Sequence, residues 1–129
     1  MHLIENTDWF FDQVRCCISC NDNAHKEATA TGKEMLLNNA FPDLQMEGPP
    51  HNDSTPQPKS KKAIYNELIS QKEEIILLAN QINSATFKGK TQHPGLEYFN
   101  ANEWFQFAEM PLRHHLRQKA CIVGVTLSR

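Results

Sequence analysis

The residue best placed for chemistry is a histidine in a predicted helix near the C-terminus. His115 falls on the apolar stripe of that helix, in line with Trp104 and Ala108. The adjacent His114 diverges from it by about 100° around the helix axis. An imidazole directed into a helical core either ligates a metal ion or makes a structural hydrogen bond, and the second role is the more common for an isolated histidine. The pattern alone leaves both roles open.

Three of the four cysteines lie close together, at Cys16, Cys17 and Cys20, while Cys121 is far away in the sequence. The C-x-x-C spacing of Cys17 and Cys20 can supply half of a zinc site. A zinc site needs four ligands, however, and no second pair follows at a suitable spacing. A redox role would need a strand before the motif and a helix directly after it, and neither is evident. We therefore predict unpaired thiols on a loop.

The composition excludes several classes of protein. A chain of 129 residues with a net charge of −2 fits one domain and offers no overall field to attract nucleic acid. A basic strip at Arg113, Arg117 and Lys119 lacks interleaved aromatic residues, so it is interpreted as a solvated helix face rather than a nucleic-acid site. The longest uncharged apolar run, residues 75–79, is too short to span a membrane. With no secretory signal at the N-terminus, we predict a cytoplasmic protein without membrane contact.

Helical periodicity predicts four helices, over residues 3–14, 24–38, 60–82 and 101–118. Residues 15–23 break the pattern and are predicted to form a loop. Five prolines lie between Phe41 and Ser60, so residues 47–60 are expected to be irregular and exposed. Residues 120–127 are β-branched and contain glycine, so they are unfavourable for continuing the last helix.

Two helix starts are marked by capping residues. Ser60 can cap the third helix. The apolar residues of that helix share one face: Ile64, Leu68, Ile75, Ala79 and Ile82. Asn100 and Glu103 have the spacing of a capping box for the last helix. Phe99 and Trp104 stand where a hydrophobic staple would place them. The last helix is therefore predicted to begin at Ala101.

Two runs near the C-terminus resemble the DinB-like superfamily. They are GLEYFNANEW at residues 95–104 and RHHLRQ at residues 113–118. In that family a turn ending in Glu-Trp leads into a helix with the motif H-x-x-x-H-x-x-Q, and the His2-Leu3-Ile4 run is similar to the H-L-I of its second helix. The resemblance implies an all-α, up-and-down four-helix bundle that lacks its first helix and carries a long proline-rich loop. This DinB-like domain would cover residues 1–119, followed by a divergent tail at 120–129.

The resemblance also implies a set of metal ligands. Three histidines hold a divalent metal in the family, and they correspond here to His2, position 111 and His115. Position 111 is proline, so one ligand of the set is missing. Pro111 should also kink the helix near Phe107, since it removes a backbone hydrogen bond at a cost of about 3 kcal/mol. Gln118, one turn beyond His115, is expected to support the ligands by hydrogen bonding. A zinc or nickel ion is therefore expected to bind weakly or not at all.

Two functions remain open. Relatives in the superfamily resemble metal-dependent thiol transferases or hydrolases, so the first expectation is an impaired enzyme acting on a small thiol or another small molecule. The alternative is a non-enzymatic or degenerate helical module that acts through a partner. A homodimer is among the expected assemblies. Metal analysis of the purified protein would separate the two functions.

Overall fold

The computed structural model describes residues 2–42 and 54–127. Among these residues, four helices and one two-stranded sheet follow each other along the chain. They are α1 (His2–Ser19), α2 (Ala30–Asn38), α3 (Lys61–Ser84), β1 (Lys90–His93), β2 (Glu97–Asn100) and α4 (Ala101–Leu127). None of the described helices is both long and apolar enough to cross a membrane.

The central element is α1, which packs along α4 and also against α3. Helices α1 and α4, which share the most extensive contact, are antiparallel. His2, in the first turn of α1, meets His115 in the second half of α4, whereas Cys17 near the end of α1 contacts Phe99 just before α4 begins. This arrangement brings opposite ends of the sequence together at one end of the α1–α4 pair.

Aromatic side chains form most of the core between α1, α4 and the hairpin. The indole of Trp104 is fully buried, and its ring lies 5.2 to 5.8 Å from those of Phe10 and Phe99, centroid to centroid. Phe107 continues the cluster one turn further along α4. Aromatic pairs at such distances contribute about 0.5–1.5 kcal/mol each beyond the burial of their surface. The core therefore fixes α4 to α1 mainly through its first half.

A β-hairpin precedes α4, and the sequence prediction omitted it. Thr91 pairs with Phe99 and His93 with Glu97 across an antiparallel register. Gly95 adopts a positive φ of 89° in the turn, a conformation that glycine tolerates without a steric cost. The predicted all-α class is thus correct for the helices but incomplete, because four-residue strands are too short to show a clear alternation of apolar and polar residues.

The predicted helix starts of α3 and α4 are confirmed. Ser60 accepts a hydrogen bond from the backbone N–H of Ala63 at 3.1 Å. Asn100 and Glu103 form a complete capping box, since each backbone N–H donates to the other residue's side-chain oxygen, at 2.8 and 2.9 Å. The staple is also present, with the Phe99 ring packed against the indole of Trp104 at 5.2 Å, centroid to centroid.

Three predicted helix boundaries are wrong. Helix α1 continues to Ser19 instead of ending near Val14, because Cys17 is buried against Phe99 and this packing extends the helix. Helix α2 begins only at Ala30, where the Thr29 side chain accepts a hydrogen bond from a backbone N–H of the first turn. The end of α1 is therefore set by packing and the start of α2 by a local cap. Apolar periodicity detects neither of them.

The third wrong boundary is the end of α4. The helix continues past Gln118 to Leu127, and residues 116–125, called the α4 overhang below, are exposed throughout. A β-branched residue costs only a few tenths of a kcal/mol in a helix, and Gly124 about 1 kcal/mol. Each further residue also adds a backbone hydrogen bond to the helix. Unfavourable propensity alone therefore does not end this helix.

The buried face of α3 also differs from the predicted one. Gln71 and Leu78 are buried, whereas Leu68 and Ile75 from the predicted face are 45% and 39% exposed. The Gln71 amide donates hydrogen bonds to the Ile4 carbonyl at 2.9 Å and to a neighbouring carboxylate at 2.8 Å. These bonds satisfy a polar group at the α1–α3 contact, so α3 is rotated away from the orientation that its apolar pattern predicts.

The proline-rich segment lies partly outside the described residues. Residues 47–53 of the predicted irregular stretch belong to this part, so the prediction is not tested there. From Thr55 to Ser60 the chain contains neither helix nor strand, in agreement with the prediction.

Candidate functional site

The structure brings His2 and His115 together, as predicted. Their ring centroids are 5.9 Å apart with an angle of 83° between the ring planes, and both side chains are half-buried. The pair forms because α1 and α4 are antiparallel, which places the first turn of α1 beside the second half of α4. Two imidazoles that share one zinc ion, with nitrogen–metal distances of about 2 Å, place their ring centres about 5 to 6 Å apart. The observed separation fits that requirement.

The surroundings of the pair hold each ring in place. The Asn6 side-chain nitrogen lies 3.3 Å from Nε2 of His2, one turn along α1. His114 lies 5.5 Å from His115, centroid to centroid, and its edge contacts the ring of Phe41. A metal bound at Nε2 of His2 would have to replace the contact with Asn6.

Gln118 contacts the other histidine of α4. Its side-chain nitrogen lies 3.0 Å from Nε2 of His114, at a spacing of one helical turn. The resemblance instead assigned Gln118 to the support of His115. In this structure Gln118 helps to orient the half-buried ring of His114, and a supporting role at the His2–His115 pair stays a prediction.

The third ligand position is occupied by Pro111, half-buried inside α4. Its ring offers no lone pair to a metal. Among residues 2–42 and 54–127, no group of three or more histidine, cysteine, aspartate or glutamate side chains is arranged to hold a metal ion. The site therefore offers two imidazole donors. Their separation suits one shared metal ion, but zinc sites in proteins usually have three or four protein ligands.

All four cysteines are free thiols, as predicted, but Cys16 and Cys17 lie on α1 instead of the predicted loop. The Cys17 thiol is buried and donates to the Phe99 carbonyl at 3.5 Å. Burial raises the pKa of Cys17, which keeps this thiol protonated near neutral pH. The Cys20 thiol instead donates to the Cys16 carbonyl at 3.7 Å. The C-x-x-C residues thus hold separate structural contacts.

A second histidine, His93, was not identified from the sequence. His93, at the end of β1, packs among Phe99, Trp104 and Phe107 with ring centroids 5.1 to 5.5 Å away. Its Nδ1 and the Trp104 Nε1 are buried and have no hydrogen-bond partner among the described residues. Burial lowers the pKa of His93, and a weaker contact with the Pro94 backbone opposes that shift. The sequence signal was the His-Pro-Gly run, which indicated only a turn.

A groove between α1 and α3 collects charged side chains that are far apart in the sequence. It encloses about 370 Å³, and its acidic lining residues are Asp8, Asp12, Glu67 and Glu74. Arg15 forms ion pairs with Asp12, at 2.8 Å, and with Glu74. Asp8 instead accepts a hydrogen bond from the Gln71 amide of α3 at 2.8 Å, so its partner lies far away in the sequence.

The comparisons with known proteins add no relative. The sequence matches no family model, and no similar curated protein or solved structure was found.

Proposed function

We propose that this protein is a helical domain that binds a divalent metal ion weakly through His2 and His115. The contact between the two imidazoles is the observation that carries the proposal. Their separation suits a shared ion, and imidazole nitrogen is a common ligand of both zinc and nickel. The resemblance to the DinB-like superfamily supports the same two residues as ligands.

The residues of the chain would contribute binding and orientation. His2 and His115 would supply the two nitrogen donors. Asn6 would contact the His2 ring when no metal is bound. Gln118 would support the site through His114. A bound divalent ion lowers the pKa of a coordinated thiol or water, which is the chemistry of a thiol transferase or hydrolase acting on a small molecule.

The affinity should be low because Pro111 replaces the third ligand. Loss of one donor removes a metal–ligand bond and the constraint it places on the others. Turnover of any substrate is therefore expected to be slow compared with that of a protein with a full set of ligands.

Titration of the protein with zinc and with nickel tests the proposal, followed by the ring signals of the histidines in NMR spectra. His2 and His115 should respond first, and His2→Ala or His115→Ala should weaken binding about tenfold or more. His25→Ala is the matched control, since His25 is exposed in a turn after α1. Equal effects of all three variants would refute a site at the α1–α4 contact.

A second candidate function is a non-enzymatic, degenerate helical module that acts through a partner. Pro111 at a ligand position and the two-donor set favour this candidate. The same titration separates the two functions. If the NMR ring signals of His2 and His115 do not change when excess zinc is added, the non-enzymatic module is favoured.

A further inference from the structure

Helix α3 presents a row of apolar side chains to solvent. We call it the α3 stripe, and its residues are Tyr65, Leu68, Ile69, Ile75 and Ile76. Each of these side chains is at least 39% exposed, and Tyr65 and Ile76 are 63% and 59% exposed. Single exposed apolar residues are common on protein surfaces, but a row of five along one helix is characteristic of an interaction surface.

The spacing within the α3 stripe is that of a helix-pairing seam. Its members are spaced by three residues from Tyr65 to Leu68, by four from Tyr65 to Ile69 and by seven from Ile69 to Ile76, which keeps them on one side of the helix. Lys72 occupies the middle of the stripe, and Glu73 stands next to it. Both side chains are exposed, and neither forms an ion pair with another described residue.

This charge pattern is complementary to itself. In an antiparallel pair of α3 helices centred between Lys72 and Glu73, each lysine faces the glutamate of the other copy. The same register sets Ile69 against Ile76 of the second copy. A two-fold axis repeats both matches, as expected for an isologous interface. We propose that the α3 stripe is a homodimer interface, in which α3 of one copy pairs antiparallel with α3 of a second copy.

A second exposed apolar surface, the α4 overhang, is less suited to self-association. The α4 overhang contains Arg117 and Lys119 but no acidic residue. Pairing of two overhangs would therefore bring like charges together. Like charges across an interface disfavour association. Self-pairing of α3 instead places Lys72 beside Glu73 of the other copy.

The dimer goes beyond both candidate functions, because it is compatible with either of them. Sedimentation velocity of the full chain over a wide concentration range tests it. Wild-type protein should dimerise reversibly, and Ile69→Glu should raise the dimer dissociation constant about a hundredfold, because it buries an unpaired charge in the seam. Ile122→Glu is the matched control, since Ile122 is an isoleucine exposed on the α4 overhang. It should leave the constant unchanged.

Charge reversal tests the register. Lys72→Glu and Glu73→Lys should each weaken the dimer about tenfold, because each places like charges at the two-fold axis. The double variant exchanges the two charges and should regain the wild-type constant. Circular dichroism of every variant confirms that it is folded.

Three outcomes would overturn the inference. They are a monomer at every concentration, a dimer that is lost in Ile122→Glu but retained in Ile69→Glu, and a double charge variant that stays as weak as the single ones. A monomer that still binds zinc would leave the metal site intact, whereas a dimer without zinc binding would refute the metal site alone.

Discussion

Replacing Pro111 with histidine should raise both the stability of the protein and its affinity for a divalent metal. The substitution restores the backbone N–H that proline lacks in the interior of α4. It also places an imidazole one helical turn before His115, on the side of α4 that faces His2. Histidines four residues apart on a helix can bind one metal ion together, so the set would gain its third nitrogen.

The two effects have different sizes and can be separated. The missing hydrogen bond and the clash of proline in a helix cost about 3 kcal/mol, while proline lowers the entropy of the unfolded chain by an amount worth up to about 1 kcal/mol. The net gain without metal is therefore about 2 kcal/mol, or roughly 7 °C in Tm for a domain of this size. Zinc at a hundred times its dissociation constant would add about 2.7 kcal/mol.

Thermal unfolding of the wild type, Pro111→His and Pro111→Ala, each with and without zinc, measures both effects. The alanine variant is the matched control because it restores the backbone N–H without an imidazole. Both variants should melt higher than the wild type, and only Pro111→His should gain further from zinc. If Pro111→His melts no higher than the wild type and gains nothing from zinc, the ligand set inferred for His2, position 111 and His115 does not exist.

Three further predictions concern the core and the thiols. Because burial lowers the pKa of His93 below its ordinary value of 6.5, the unfolded chain binds more protons below that pH, so stability should fall as pH decreases from about 7 to 5. His93→Phe should flatten this dependence in urea unfolding at the two pH values, and an equally steep fall in the variant would contradict the assignment. Iodoacetamide should label Cys16 and Cys121 faster than the buried Cys17, as measured by peptide mass spectrometry of the folded protein, and equal labelling would show that Cys17 is accessible. Gly89→Ala should destabilise the protein by about 2 kcal/mol in urea, because its Cβ would lie 2.6 Å from the Cys20 carbonyl oxygen and 2.9 Å from that of Cys17. Gly124→Ala is its control, since nothing lies within 4 Å of that Cβ and alanine favours the helix by about 1 kcal/mol, so a loss of stability there would count against the argument.

The sequence by itself determined the features that depend on neighbouring residues. The starts of α3 and α4 follow from Ser60 and from the Asn100–Glu103 box, because a cap needs only residues within one turn of each other. The resemblance also predicted that His2 and His115 would meet.

The tertiary structure decided the features that depend on contacts between distant residues. The orientation of α3 is set by Gln71 and its bonds to α1, and these bonds override the apolar pattern of the helix. The burial of His93 depends on aromatic residues from β2 and α4 that surround it only after the hairpin packs on the helix. Hydrophobic periodicity records which side of an element is apolar, but the free energy of the whole assembly selects the side that is buried.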